Sequence, residues 1–197
     1  MRIAGESGWE ATLGRAILAT RQAAGEGAPD HAHDVSFEAE ALALPASWTA
    51  GLERTGVLPG RMESAALDAT LAFDGPWSRT TVETRPPRLQ EAAVRDLRVS
   101  WGRLDLRARG TLAADDEGFA DGTLSLRVRN WEEMLEVAVN AGLIGRSAAR
   151  GVETALGLIA RLSSDRNTIE IPLVFEDGRA RIGPVPVGDA PRISRPL

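Results

Sequence analysis

Apolar and polar residues alternate with a period of two over most of this chain, and that alternation predicts strands. From Gly8 to Arg21, Trp9, Ala11 and Leu13 alternate with polar residues, and Ile17 and Ala19 resume after Gly14-Arg15, predicting one strand with a bulge at the glycine. After a Gly- and Pro-bearing loop over 25–30, Asp34 to Leu44 alternates again and predicts the return arm of a hairpin. Leu67, Ala69, Leu71 and Phe73 predict a further strand, stopped by the turn Asp74-Gly75-Pro76. The stretch Thr80 to Arg88 carries Pro86-Pro87 and no period, so it reads as a crossing or edge segment. The clearest sheet signal runs from Val94 to Arg129. Leu97, Val99 and Trp101 share one parity and Leu104, Leu106 and Ala108 the other, with Gly102 at the change as a bulge or tight bend. Asp115 to Gly118 then forms a hairpin tip, from which Leu124, Leu126 and Val128 return.

The period changes after Arg129. Asn130 with Glu133 three residues on is a capping-box signature, and Trp131, Met134, Leu135 and Ala138 fall at the spacing of one buried helical stripe, which Gly142 ends. Ser147 opens a second helix to about Leu162, with Val152, Leu156 and Ile159 as its stripe. Ser47 to Arg54 predicts one or two short helical turns. Ile169, Ile171, Leu173 and Phe175 predict a strand, Asp177-Gly178 a type I′ turn, and Ala180 and Ile182 the return. Proline keeps the tail after Pro184 out of any central strand. The sum is an α+β domain: a strongly twisted antiparallel sheet of about seven to nine strands, covered by two helices from the C-terminal half.

Length and composition fit one domain: 197 residues, 43% hydrophobic and 26% charged, enough to enclose a core. The longest early apolar run, Ala16 to Ala19, is too short for a spanning helix or a signal-peptide core. A net charge of −5 supplies no field that would draw the chain onto nucleic acid. The absence of cysteine and tyrosine, with only His31 and His33 as imidazoles, argues against an enzyme. No catalytic residue, metal site or cofactor is expected.

His31 and His33 lack a distant third ligand, and the acidic group Asp115, Asp116, Glu117 and Asp121 lacks calcium-loop spacing, so both read as solvated loops. The five tryptophans, Trp9, Trp48, Trp77, Trp101 and Trp131, read mostly as core plugs. The one candidate ligand site is a set of arginines. All 23 basic residues are arginine, and Arg107, Arg109, Arg127 and Arg129 share one polar face if the hairpin closes at Asp116 to Glu117. Four guanidiniums on adjoining strands repel unless anions sit among them, either local carboxylates such as Asp105 or a bound phosphate or lipid head group.

The stretch GTLSLRVRNWEEMLEVAVNAGLI from Gly122, a glycine-bearing helix, and IEIPLVFEDGRARIGPVPVGDAPRI from Ile169, with LPASW and LDATLAFDGPW upstream, resemble an uncharacterised bacterial family distantly similar to AsmA-like envelope proteins. The resemblance implies that residues 1–197 are a single envelope-type domain, a fragment of a longer anchored protein exposed to the periplasm. It implies a non-catalytic role in envelope maintenance or lipid handling, with anionic lipid or an envelope protein as partner. An apolar groove open along Leu67, Leu71, Val99 and Leu126 favours lipid; a closed core favours the alternative, a protein-interaction or scaffold module.

Overall fold

The computed structural model describes residues 2–4, 10–12, 14–25, 27–43, 58–140, 142, 144–163 and 165–195. Strands β1 (Arg2–Ala4) and β2 (Glu10–Thr12) form a small antiparallel pair. The other strands are β3 (Arg15–Gln22), β4 (Ala32–Leu42), β5 (Met62–Phe73), β6 (Leu89–Trp101), β7 (Leu104–Ala114), β8 (Ala120–Arg129), β9 (Thr168–Glu176), β10 (Arg179–Ile182) and β11 (Val185–Asp189). They build one nine-stranded antiparallel sheet in strict sequence order, with β3 and β11 at its edges. Helix α1 (Arg79–Thr84) links β5 to β6, and α2 (Trp131–Asn140) and α3 (Arg146–Leu162) lie between β8 and β9.

Cross-strand register divides the sheet into two faces. On β8, Ala120, Gly122, Leu124, Leu126 and Val128 point one way; opposite them stand Leu112 to Leu106 on β7 and Phe175 to Ile169 on β9. Trp131 and Leu135 of α2 and Val152, Leu156 and Ala160 of α3 seal this face, so Val128 and Ile169 are fully buried partners in one core. Removing a side chain such as Ile169 down to alanine there costs about 2–5 kcal/mol. The seal is partial, because α2 rests on β7 and α3 on β9 and β11. The apolar face continues past α2 onto β6, β5, β4 and β3 through Val99, Leu97, Leu67, Phe37, Val35 and Leu18, which the register places on the same side.

Two glycines let β7 and β8 approach. Gly110 and Gly122 have φ of 148° and 135°, and a Cβ on either would fall onto the carbonyl oxygen of Thr123 or Thr111 across the pair.

Several expectations change. The segment read as one strand over Gly8–Arg21 is divided into β2 and β3, and β2 pairs with β1; Thr12 still bridges Ala43 and Gly14 donates to the Glu40 carbonyl, so the expected irregularity at Gly14 is present between them. The segment Thr80–Arg88 holds the short helix α1, which Ser78 starts through a reciprocal hydrogen-bonded pair with Thr81. Gly102, at φ 61°, lies in the tight turn that separates β6 from β7, so of the two expectations there the tight bend holds and the bulge does not. The expected cap at Asn130 is also different. Asn130 takes a left-handed φ of 56° and its side-chain amide donates to the Arg103 carbonyl, while Glu133 pairs with the Arg103 guanidinium at 2.9 Å. Both residues tie α2 to the β6–β7 turn instead of to each other. Helix α3 starts at Arg146 behind Gly145, with no side-chain cap.

Of the tryptophans, Trp131 is buried and donates to the Arg166 carbonyl at 3.1 Å, and half-buried Trp101 donates to the Pro59 carbonyl at 2.7 Å. Trp77 is not a core plug: it is 50% exposed and meets Phe73 edge to face. Trp9, Trp48 and the turns expected over Ser47–Arg54 lie outside the described residues. Asp177 and Gly178 both have positive φ, as a type I′ turn requires, and β11, which contains Pro186, is an edge strand as expected. The hairpin tip is tied by Asp115, whose Oδ1 accepts from the amides of Glu117 and Phe119 at 3.0 and 2.8 Å.

Candidate functional site

The four arginines singled out above come together. Arg107 on β7 stands directly opposite Arg127 on β8, and Arg109 and Arg129 project from the same face because each lies two residues along its strand. The row extends in both directions: Glu38, Ala66, Arg98, Arg107, Arg127 and Glu170 are successive cross-strand partners from β4 to β9. A parallel row reads Arg15, Glu40, Ser64, Ser100, Asp105, Arg129 and Thr168.

On a flat sheet, β4 and β9 would be about 24 Å apart at normal strand spacing. Instead, Glu38 and Glu40 of β4 and Thr168 of β9 line the same trough, of about 700 Å³, so the sheet curls around its polar face. Small residues, Ser64, Ala66 and Ser100, floor it between an acidic wall on β4 and a basic wall on β6 to β8.

Local carboxylates satisfy part of the basic wall. Arg98 pairs with Asp96 at 2.9 Å, Arg127 with Glu170 at 2.9 Å, and Arg129 approaches Asp105 at 3.8 Å. The side chains of Arg107 and Arg109 make no ion pair or hydrogen bond among the described residues, and neither do those of Glu38 and Glu40. At the end of the trough Asp165 is held below the usual carboxylate range by the Asn167 amide and the Thr168 hydroxyl, with Arg129 and Arg127 adding to the effect.

A second polar cluster on this face escaped the reading of the sequence. Arg95 contacts Asp68 and Thr70 of β5 and Asp34 of β4, while Arg21 of β3 closes on Asp34 at 3.0 Å. The signal was available: Val94 and Leu97 both face the apolar side, which one strand can do only if an extra residue is bulged between them.

The apolar face is the other candidate. Leu126 is half-buried against the helix-covered core; Leu67, Leu71 and Val99 are half-buried as well but stand outside that core, and Leu18 is 65% exposed. Thus, of the four residues expected to line one groove, Leu126 belongs to the helix-covered core and the other three lie beyond it on the open half. The arginines lie on the opposite face of the sheet, so a single ligand on the open apolar half does not reach them across the sheet. His33 also lies on the apolar side, with its ring edge-on to Phe73.

No helix among the described residues is long and apolar enough to cross a membrane. No curated protein and no solved structure matches the chain. A family model matches residues 1–191, nearly the whole length over which this sheet and its helices are built, and the chain therefore belongs to the DUF2125 family of uncharacterised proteins conserved in bacteria.

Proposed function

We propose that this is a non-catalytic domain of the bacterial envelope, facing the periplasm, that handles lipid by laying apolar chains along the open half of its sheet. One observation carries the reading: the apolar face continues over β3 to β6 beyond the strands on which α2 and α3 rest. On these strands Leu18 is 65% exposed and Val35, Phe37, Leu67 and Leu97 are half-buried, a contiguous apolar surface of the kind that marks a ligand or partner site. Acyl chains fit it because they need only apolar contact, and Leu18, Val35, Phe37, Leu67 and Leu97 supply that with no directional demand. The envelope setting is supported by the resemblance to AsmA-like proteins, and the non-catalytic character by the absence of cysteine and tyrosine and the presence of only two histidines.

A scaffold function is the second reading, favoured by the closed core between α2, α3 and β7 to β11. In that reading a protein partner covers the open half. Native mass spectrometry of the purified protein separates the two. Lipid adducts that disappear after delipidation and return on adding phospholipid support lipid handling; a protein that carries no lipid and takes up none contradicts it.

A further inference from the structure

We propose that the trough on the polar face is a binding site for a small zwitterion that carries a phosphate or phosphodiester group and a primary ammonium group. The site is on the opposite side of the sheet from the apolar face and does not depend on it. Its charge pattern selects the ligand. The lining holds four arginines, Arg98, Arg107, Arg127 and Arg129, and four carboxylates, Glu38, Glu40, Asp105 and Asp165, so it has no net charge to attract a polyanion.

The lining charges whose side chains make neither ion pair nor hydrogen bond among the described residues are segregated: Arg107 on β7, Glu38 and Glu40 on β4. Arg107 stands between Arg98 and Arg127 in register, and like charges directly opposite destabilise a sheet unless an anion lies between them. The carboxylates of Asp96 and Glu170 serve the outer two arginines and leave Arg107 without one among the described residues. A phosphate oxygen pair matches the planar guanidinium fork and can be shared by adjacent arginines. Across the small floor at Ala66 and Ser64, neither Glu38 nor Glu40 makes an ion pair among the described residues, although Arg15 is the register partner of Glu40, and a primary ammonium has three donors to give them.

Calorimetric titration of the full chain with phosphoethanolamine, phosphocholine and inorganic phosphate tests the site. Phosphoethanolamine should bind at least about tenfold more tightly than either of the others, because only it offers both a fork-matched anion and donors to carboxylates. Arg107→Gln should weaken phosphoethanolamine and phosphate alike. The double variant Glu38→Gln, Glu40→Gln should abolish the preference for phosphoethanolamine while leaving phosphate binding unchanged. All three positions are on an exposed face, and circular dichroism confirms that the variants fold. Vesicles containing phosphatidylethanolamine identify the source: binding that phosphoethanolamine competes away assigns a lipid head group, and soluble binding without vesicle binding assigns the free zwitterion. Equal affinity for phosphate and phosphoethanolamine, no measurable binding of phosphoethanolamine, or an Arg107→Gln variant that binds like the wild type overturns the proposal.

Discussion

Arg95 reaches across an entire strand to hold Asp34, Nη1 to Oδ1 at 3.2 Å, although β6 and β4 are separated by β5. The bulge between Val94 and Leu97 makes this possible, since it turns both Arg95 and Asp96 toward the polar face and lets one guanidinium span Asp68, Thr70 and Asp34. The open half of the sheet, which has no described helix packed along it, is therefore cross-linked from its polar side. In β-sheets generally, a bulge of this kind re-aims a side chain at the expense of one ladder position.

That cluster gives the protein an acid-sensitive half. The Asp34 carboxyl is held below its ordinary range first by the Thr70 hydroxyl and then by Arg21, and Asp74 is held low by the Arg88 amide and side chain, which bond it at 2.7 and 2.9 Å. A carboxyl whose folded value lies below its unfolded one binds fewer protons in the folded state, so its contribution is complete above the unfolded value of about 3.9 and is lost as pH falls through the folded value. Thermal melting should therefore be flat near neutrality and decline from about pH 4 downward. Asp34→Asn should lower the neutral Tm and make the acid decline shallower. An unchanged acid profile in that variant would remove Asp34 from the account.

Two glycine substitutions should have opposite signs. Gly122→Ala places a Cβ on the Thr111 carbonyl at a φ of 135° and should cost roughly 1–3 kcal/mol. Gly151→Ala, in the interior of α3 with open space around the new methyl, should stabilise by up to about 1 kcal/mol. Urea unfolding of both variants measures the contrast, and a neutral Gly122→Ala would mean that β7 and β8 are not held as closely as described.

Asn130 separates two explanations of how α2 begins. A helix cap accepts aspartate as readily as asparagine, whereas a donor to the Arg103 carbonyl does not. Asn130→Asp should therefore destabilise by about 1–2 kcal/mol, through loss of the amide donor and the carboxylate placed against a carbonyl. Wild-type stability in that variant, measured by denaturant titration, would restore the capping explanation.

The strands were legible wherever one face is buried, because burial enforces strict alternation; β8 and β9 show this, with Val128 and Ile169 at its centre. Arg107 and Arg127 were placed together correctly for the same reason: the hairpin tip at Asp115 to Gly118 fixes the register, and register fixes the face. What periodicity does not carry is where a cover ends. Leu126 and Leu67 look alike in sequence, yet the first lies beneath helices and the second beyond them. The start of α2 was located correctly but for the wrong local reason, since asparagine serves equally as a cap and as a residue tolerant of left-handed backbone. Tertiary contact with the β6–β7 turn decided between them.

The most direct test of the lipid-handling account is titration of the protein with a fluorescent fatty acid whose emission rises in apolar surroundings. The account predicts saturable binding that weakens by about tenfold in Leu67→Gln, the equivalent of roughly 1.4 kcal/mol of lost apolar contact. It also predicts unchanged binding in Arg107→Gln, because Leu67 and Arg107 are on opposite faces of the sheet. No saturable binding by the wild type, or a Leu67→Gln variant that binds as the wild type does, would contradict it.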